Sequence, residues 1–337
     1  MKKSILLLLI LLIPVLALAQ TAEDYLDMGV AKGEKGDYTG AIQDFNKAIE
    51  LNPNDAEAYY NRGVAKGNLG DHKGAIRDCN KAIELKPKYA EAYYNRGYAK
   101  GDLGDKRGAI QDYNKAIELN PNYGDAYYNR GNAKSDLGDN RGAINDYNKA
   151  IELDPKLSDA YFNRGVAKND LGDNRGAIQD YNKSIELNPK NALAYYNRGT
   201  AKVNLGDYRG ALQDFNKSIE LNPKDAGAYN NRCNVKNRLG DHKGAIRDCN
   251  KVIELKPKYA KPYYNRGNAK GKLGDKRGAI QDYNKAIELN PKLADAYYNR
   301  GVVKIHLGQK DSGCLDLSKA GEMGTMQAYD LIKQYCQ

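Results

Sequence analysis

Eight arginines, Arg62, Arg96, Arg130, Arg164, Arg198, Arg232, Arg266 and Arg300, alternate along the chain with eight aspartates, Asp44, Asp78, Asp112, Asp146, Asp180, Asp214, Asp248 and Asp282. Guanidinium and carboxylate groups can neutralise each other inside a fold, or present charge to a ligand. Each Asp stands 18 residues upstream of one Arg, and Met28, at the first Arg position, has no Asp before it. That pattern predicts ion pairs between neighbouring units, Asp44 with Arg62, Asp146 with Arg164 and so on. The alternative is an exposed basic stripe for phosphates or acidic polymers, in keeping with a formal net charge of +10. Lys66, Lys81 and their counterparts spread much of the basicity evenly, as on a solvated face.

Thiols are the next reactive groups. Of five cysteines, Cys314 and Cys336 form the best pair, with Cys314 on a helix and Cys336 on the final helix that should cover it. Cys79 and Cys249 stand where other units carry Tyr113, Tyr147 or Phe45, which reads as small core residues. Cys233 replaces a Gly opposite Cys249, so a second bridge between them is an open alternative. His72, His242 and His306 are scattered, without zinc-ligand spacing and without a nucleophile to serve. No phosphate-binding glycine motif or nucleophile elbow occurs, so neither a metal, a cofactor nor an enzyme is expected.

The elements that hold these groups follow from periodicity. Pro53, Pro87, Pro121, Pro155, Pro189, Pro223, Pro257 and Pro291 recur every 34 residues, the mark of a stacked repeat. In the unit Ala56 to Tyr89, Ala58, Tyr59, Gly63, Ala65 and Leu69 recur at helical spacing and predict a first helix ending at Gly70. Asp71 can cap a second helix that buries Ala75, Ile76, Cys79, Ala82, Ile83 and Leu85 and stops before Pro87. One hairpin cannot bury its apolar stripe alone, so neighbours must stack on it. Units begin at Ala22, Ala56, Ala90, Gly124, Ser158, Ala192, Ala226, Ala260 and Ala294, which predicts an all-α chain of nine helix-turn-helix repeats over residues 20–320 and a capping helix over 321–337. Residues 71–90 recur as 241–260 with one change, Ala82 to Val252, the trace of a duplicated five-unit block.

Tyr59, Gly63, Ala75, Ala82 and Pro87 stand at the spacing of the tetratricopeptide repeat family, which the chain resembles over about nine-tenths of its length. Arg62 and Lys66 depart from that pattern, where Leu and Tyr are usual. The resemblance implies a right-handed α-solenoid whose concave groove, lined by first helices, binds peptides or protein segments. It places Glu57, Tyr60, Asn61, Val64, Gly67 and Asn68 of the second unit on the groove. Candidate contact residues are then Tyr60, Asn61, Tyr94, Asn95, Tyr128, Asn129, Phe162, Asn163, Tyr196 and Asn197, with Asp102, Asp136 and Asp170 setting charge. The asparagines either pair with a peptide backbone or bond neighbouring helices. The acidic positions either select a segment carrying Lys or Arg or have drifted after duplication, and Arg238, Lys261 and Lys272 reverse the sign in later units.

Residues 1–19 read as a secretory signal: Lys2 and Lys3, an apolar run from Ile5 to Leu18, and cleavage before Gln20, leaving a charge of +8. The expected protein is therefore exported, to the periplasm or beyond, with no stable membrane insertion after cleavage. Its expected function is a non-enzymatic scaffold that binds an extended protein or peptide segment in the groove. The alternative is a polyanion or surface glycan on a lysine-rich convex face; export argues against nucleic acid.

Overall fold

A computed structural model describes residues 20–336, so the expected signal over 1–19 lies outside the described residues. The chain divides between Asp139 and Asn140 into two compact units. The first holds α1 (Ala22–Glu34), α2 (Tyr38–Leu51), α3 (Ala56–Asn68), α4 (His72–Leu85), α5 (Ala90–Asp102), α6 (Lys106–Leu119) and α7 (Gly124–Asp136). The second holds α8 (Asn140–Leu153), α9 (Ser158–Asp170), α10 (Asn174–Leu187), α11 (Ala192–Asn204), α12 (Tyr208–Leu221), α13 (Ala226–Arg238), α14 (His242–Leu255), α15 (Ala260–Lys272), α16 (Lys276–Leu289), α17 (Ala294–Ile305), α18 (Lys310–Glu322) and α19 (Gln327–Tyr335). The described residues contain no strand.

Local chemistry sets each boundary. Asp71 caps α4 by accepting the Gly74 N–H at 2.8 Å, and the same bond recurs at Asp37, Asp105, Asp173, Asp207, Asp241 and Asp275. A Cβ on Gly74 would collide with the Asp71 carboxylate, so the cap itself demands glycine there. Gly70, at φ +83°, takes the left-handed conformation that turns α3 into α4.

The core is built from small residues. Ala58, Ala65, Ala75 and Ala82 are buried, and the same positions are alanine in most other repeats. Short side chains let paired helices approach closely; an aromatic such as Phe45, Tyr113, Tyr181 or Phe215 fills the remaining space. At the C-terminal end, Leu331 and Ile332 of α19, with Cys336 just after it, cover Leu317 and Ala320 of α18. Tyr329 lies against Gly321 of α18 and is half exposed.

Candidate functional site

The arginines are enclosed, but their partners differ from those expected. Arg62 donates Nε to Asp78 Oδ2 at 2.9 Å and Nη2 to Asp78 Oδ1 at 2.7 Å, across the hairpin of its own repeat. Arg96 takes Asp112, Arg164 takes Asp180, Arg198 takes Asp214, Arg232 takes Asp248, Arg266 takes Asp282 and Arg300 takes Asp316. Each partner lies 16 residues downstream, not 18 upstream, so Asp146 is not the partner of Arg164. The two offsets are nearly equal in sequence, and only packing separates them: a Cβ on Gly63 would sit 3.2 Å from Asp78 Cβ, so Asp78 faces α3 directly.

The link to the preceding repeat is instead an asparagine. Arg62 Nη1 donates to Asn46 at 2.7 Å, and Arg96, Arg130, Arg164, Arg198, Arg232, Arg266 and Arg300 do the same to Asn80, Asn114, Asn148, Asn182, Asn216, Asn250 and Asn284. The guanidinium also lies over the Tyr59 ring, 5.4 Å from its centroid. Lys66 is a member of this cage rather than of a solvated face, with Nζ 2.7 Å from the buried Asp78. In the first repeat, where Met28 replaces Arg, Lys32 alone meets Asp44, at 2.6 Å. These charges are spent internally.

The asparagine ladder is also largely engaged. Asn95 donates to Tyr60 Oη at 3.1 Å, Asn129 to Tyr94 at 2.8 Å, Asn231 to Tyr196 at 3.2 Å and Asn299 to Tyr264 at 3.2 Å, each bond joining adjacent first helices. Three rungs lack the hydroxyl, and at one of them Asn265 donates to Asn230 Oδ1 instead, at 3.4 Å. Leu26 precedes Asn61 and Phe162 precedes Asn197, and neither asparagine side chain finds a hydrogen-bond partner among the described residues. Burial raises the pKa of Tyr60 and pushes that of Tyr94 up to about 12, so both phenols stay protonated.

A third set of junctions links the last groove position of a first helix to the residue 30 positions earlier, at the start of a second helix. Lys106 and Asp136 pair at 2.8 Å, Asn204 donates to Asn174 at 3.0 Å, and Arg238 donates to Tyr208 Oη at 3.1 Å while stacking on its ring. The partners change together along the chain, which sequence inspection missed; the matched offset of 30 was the available signal. His72 and Asp102 occupy the same places but stand 3.7 Å apart, and His72 Nδ1 is buried without a hydrogen bond. Asp170 has no ion-pair partner among the described residues.

Between first helices these rungs leave clefts. One of about 480 Å³ lies between α3 and α5, lined by Val64, Gly67 and Asn68 on one side and Tyr94, Asn95, Tyr98 and Asp102 on the other. In the second unit, a cleft of about 390 Å³ is lined by Asn234, Arg238, His242, Tyr264 and Lys272, and one of about 540 Å³ by Lys272, Lys276, Asn299, Val302 and His306. Openings are not confined to the positions expected to form the groove: clefts of about 650 and 710 Å³ lie at the loops between repeats, lined by Gly227, Lys256 and Tyr259 and by Thr21, Asn52 and Lys86. The described residues contain no group of His, Cys, Asp and Glu that could hold a metal ion.

Residues 31–70, 131–169, 167–206 and 234–274 match a family described as TPR repeat. Residues 56–89, 90–123, 192–225 and 260–293, with 112–145 and 282–314, match families described as tetratricopeptide repeat. The chain belongs to the tetratricopeptide repeat family. A TPR protein from Parabacteroides merdae ATCC 43184 is similar, with 26% identity and a TM-score of 0.53 over 74% of this chain and 99% of that one. YrrB, described as a TPR protein with an unusual peptide-binding site, has 27% identity and a TM-score of 0.50 over 55% of this chain and 95% of its own. A chain of the APC/C hetero-tetramer Cut9–Hcn1, at 16% identity and a TM-score of 0.56 over 94% of this chain and 76% of that one, shows the fold alone. No curated protein matches the sequence.

Two features of this TPR chain are covalent. Cys314 and Cys336 are bonded, with Cα atoms 5.8 Å apart, and so are Cys233 and Cys249, at 5.7 Å. In most other repeats the Cys233 position is a Gly whose Cβ would strike a facing aromatic, as Gly29 would strike Phe45. Where the aromatic shrinks to Cys249, the site has room for a second thiol. Cys79 is free and fully buried, and burial raises its pKa to about 12.

Proposed function

We propose that this TPR chain is an exported, non-enzymatic scaffold that binds an extended protein segment along its first-helix face. The observation that carries this reading is the distribution of unspent groups. The Arg, Lys and Asp side chains of the repeat cage satisfy one another, whereas the first-helix face keeps Tyr- and Asn-lined clefts. Amphipathic rings and amides suit a peptide backbone with mixed side chains. Two disulfides and a leader-like start support an oxidising destination. No described helix is long and apolar enough to cross a membrane.

Polyanion binding on the second-helix face is disfavoured by a specific observation. Lys81 pairs with Glu84 at 2.7 Å, and Lys47, Lys115, Lys149, Lys183, Lys217, Lys251, Lys285 and Lys319 repeat the pair three residues before a Glu. That face is mixed in sign rather than a basic stripe.

Site-directed photocrosslinking in the native envelope tests the reading. A photoreactive residue at Val64 or Val302 should capture a protein partner, and one at Lys81 or Lys285 should not. Capture from the lysine positions alone would refute it. N-terminal sequencing of the mature protein should begin at Gln20.

A further inference from the structure

The cleft between α3 and α5 carries an exposed carboxylate, Asp102, at its charged end. Where Lys106 meets Asp136 directly, and Arg238 meets Tyr208, the corresponding His72 Nδ1 and Asp102 Oδ2 stand 3.7 Å apart, too far for a hydrogen bond. Gly67, which has no side chain to fill it, keeps the cleft open beside Asp102, and Tyr98 stands half exposed there. His72 Nδ1 is buried and unpartnered, so in the Nε2–H tautomer it is an acceptor without a donor. Asp102 supplies further acceptors and a negative charge. The same face of the unit carries Glu57, Glu91 and Asp125, all exposed.

We propose that this cleft is a pocket for one arginine side chain of the segment bound along the first-helix face. The two oxygens of the exposed Asp102 carboxylate match the parallel N–H donors of a planar guanidinium. The Tyr94 and Tyr98 side chains, which line the same cleft, give the cation aromatic surface. An ammonium offers one point charge and no fork, so lysine binds more weakly; glutamate is repelled. The proposal rests on the groove-binding reading and adds the chemistry of the occupant.

The experiment uses the full mature chain and an array of 12-residue peptides of one Ser/Ala background carrying Arg, Lys, Gln or Glu at a single site, with affinities measured by fluorescence anisotropy. The Arg peptides should bind tightest. Gly67→Leu, which fills the cleft, and Asp102→Asn should each weaken them by about tenfold, a typical loss for one charge-assisted contact. Helical circular dichroism and the thermal midpoint of each variant are the folding control and should match those of the parent chain. Unchanged Arg affinity in Gly67→Leu and Asp102→Asn, or binding indifferent to the central residue, would overturn the pocket while leaving the groove reading intact. Failure of the parent chain to bind any peptide also overturns the pocket, and crosslinking from Val64 then decides the groove reading separately.

Discussion

Single residues decide whether a rung of this stack is closed or open. Phe162 differs from Tyr60, Tyr94, Tyr196 and Tyr264 by one hydroxyl, and its loss leaves the Asn197 side chain unbonded. Phe162→Tyr should therefore restore the rung and stabilise the protein by about 1 kcal/mol, read as a higher denaturant midpoint. No gain would mean that water already satisfies Asn197. Gly63 offers a second residue-scale test, since a Cβ there would lie 3.4 Å from the Cys79 sulfur, in the arrangement that Cys233 and Cys249 occupy. Gly63→Cys should form a third disulfide on oxidation, visible as the loss of two titratable thiols. In the parent protein the Cys79 thiol, protonated and buried, should resist alkylation until the chain unfolds.

Pairs of helices are held by charges whose worth depends on burial. Arg198 and Asp214 are both enclosed, at 16% and 4% side-chain exposure. Asp214→Ala should cost about 3–5 kcal/mol, because it strands a guanidinium and a lysine. Lys106 and Asp136 are far more exposed, at 35% and 55%, so a charge reversal at either should cost below about 1 kcal/mol. The double reversal should recover most of that loss, and a double-mutant cycle measures it. At the C-terminal end, α19 is tied to α18 by a bridge spanning 22 residues. Cys336→Ser should weaken the cap by about 3 kcal/mol and expose α19 to hydrogen exchange before the rest.

At the scale of the whole molecule, tyrosine sets the alkaline limit. Burial is the main cause that raises the pKa of Tyr60, Tyr94, Tyr113, Tyr181 and Tyr283, with Tyr94 reaching about 12. The unfolded phenol ionises near its model value of 10.0. A folded pKa above the unfolded one contributes stability that is complete below pH 10 and lost as pH rises through the folded values. Helical circular dichroism in mild urea should thus hold to about pH 10 and fall steeply towards pH 12. A flat response across that window would show that the phenols are not held neutral by burial.

Sequence alone determined the repeat length, the helix boundaries and the family, because each depends on local signals. Pro87 and Gly70 act on their own backbone, Asp71 caps the helix it precedes, and alanine periodicity marks the buried stripe. It also contained the second bridge, as the coincidence of Cys233 with Cys249. Tertiary structure decided which groups meet. Arg62 lies 16 residues from Asn46 and 16 from Asp78, and a sequence offset carries no direction; the Gly63 contact with Asp78 settles it. The asparagine rungs and the junctions 30 residues apart were equally hidden, since both join side chains through stacking rather than along a helix. What a ladder of identical residues leaves free is a property of the neighbours, and so the unbonded state of Asn197 and of His72 beside Asp102 emerges only from the packed chain.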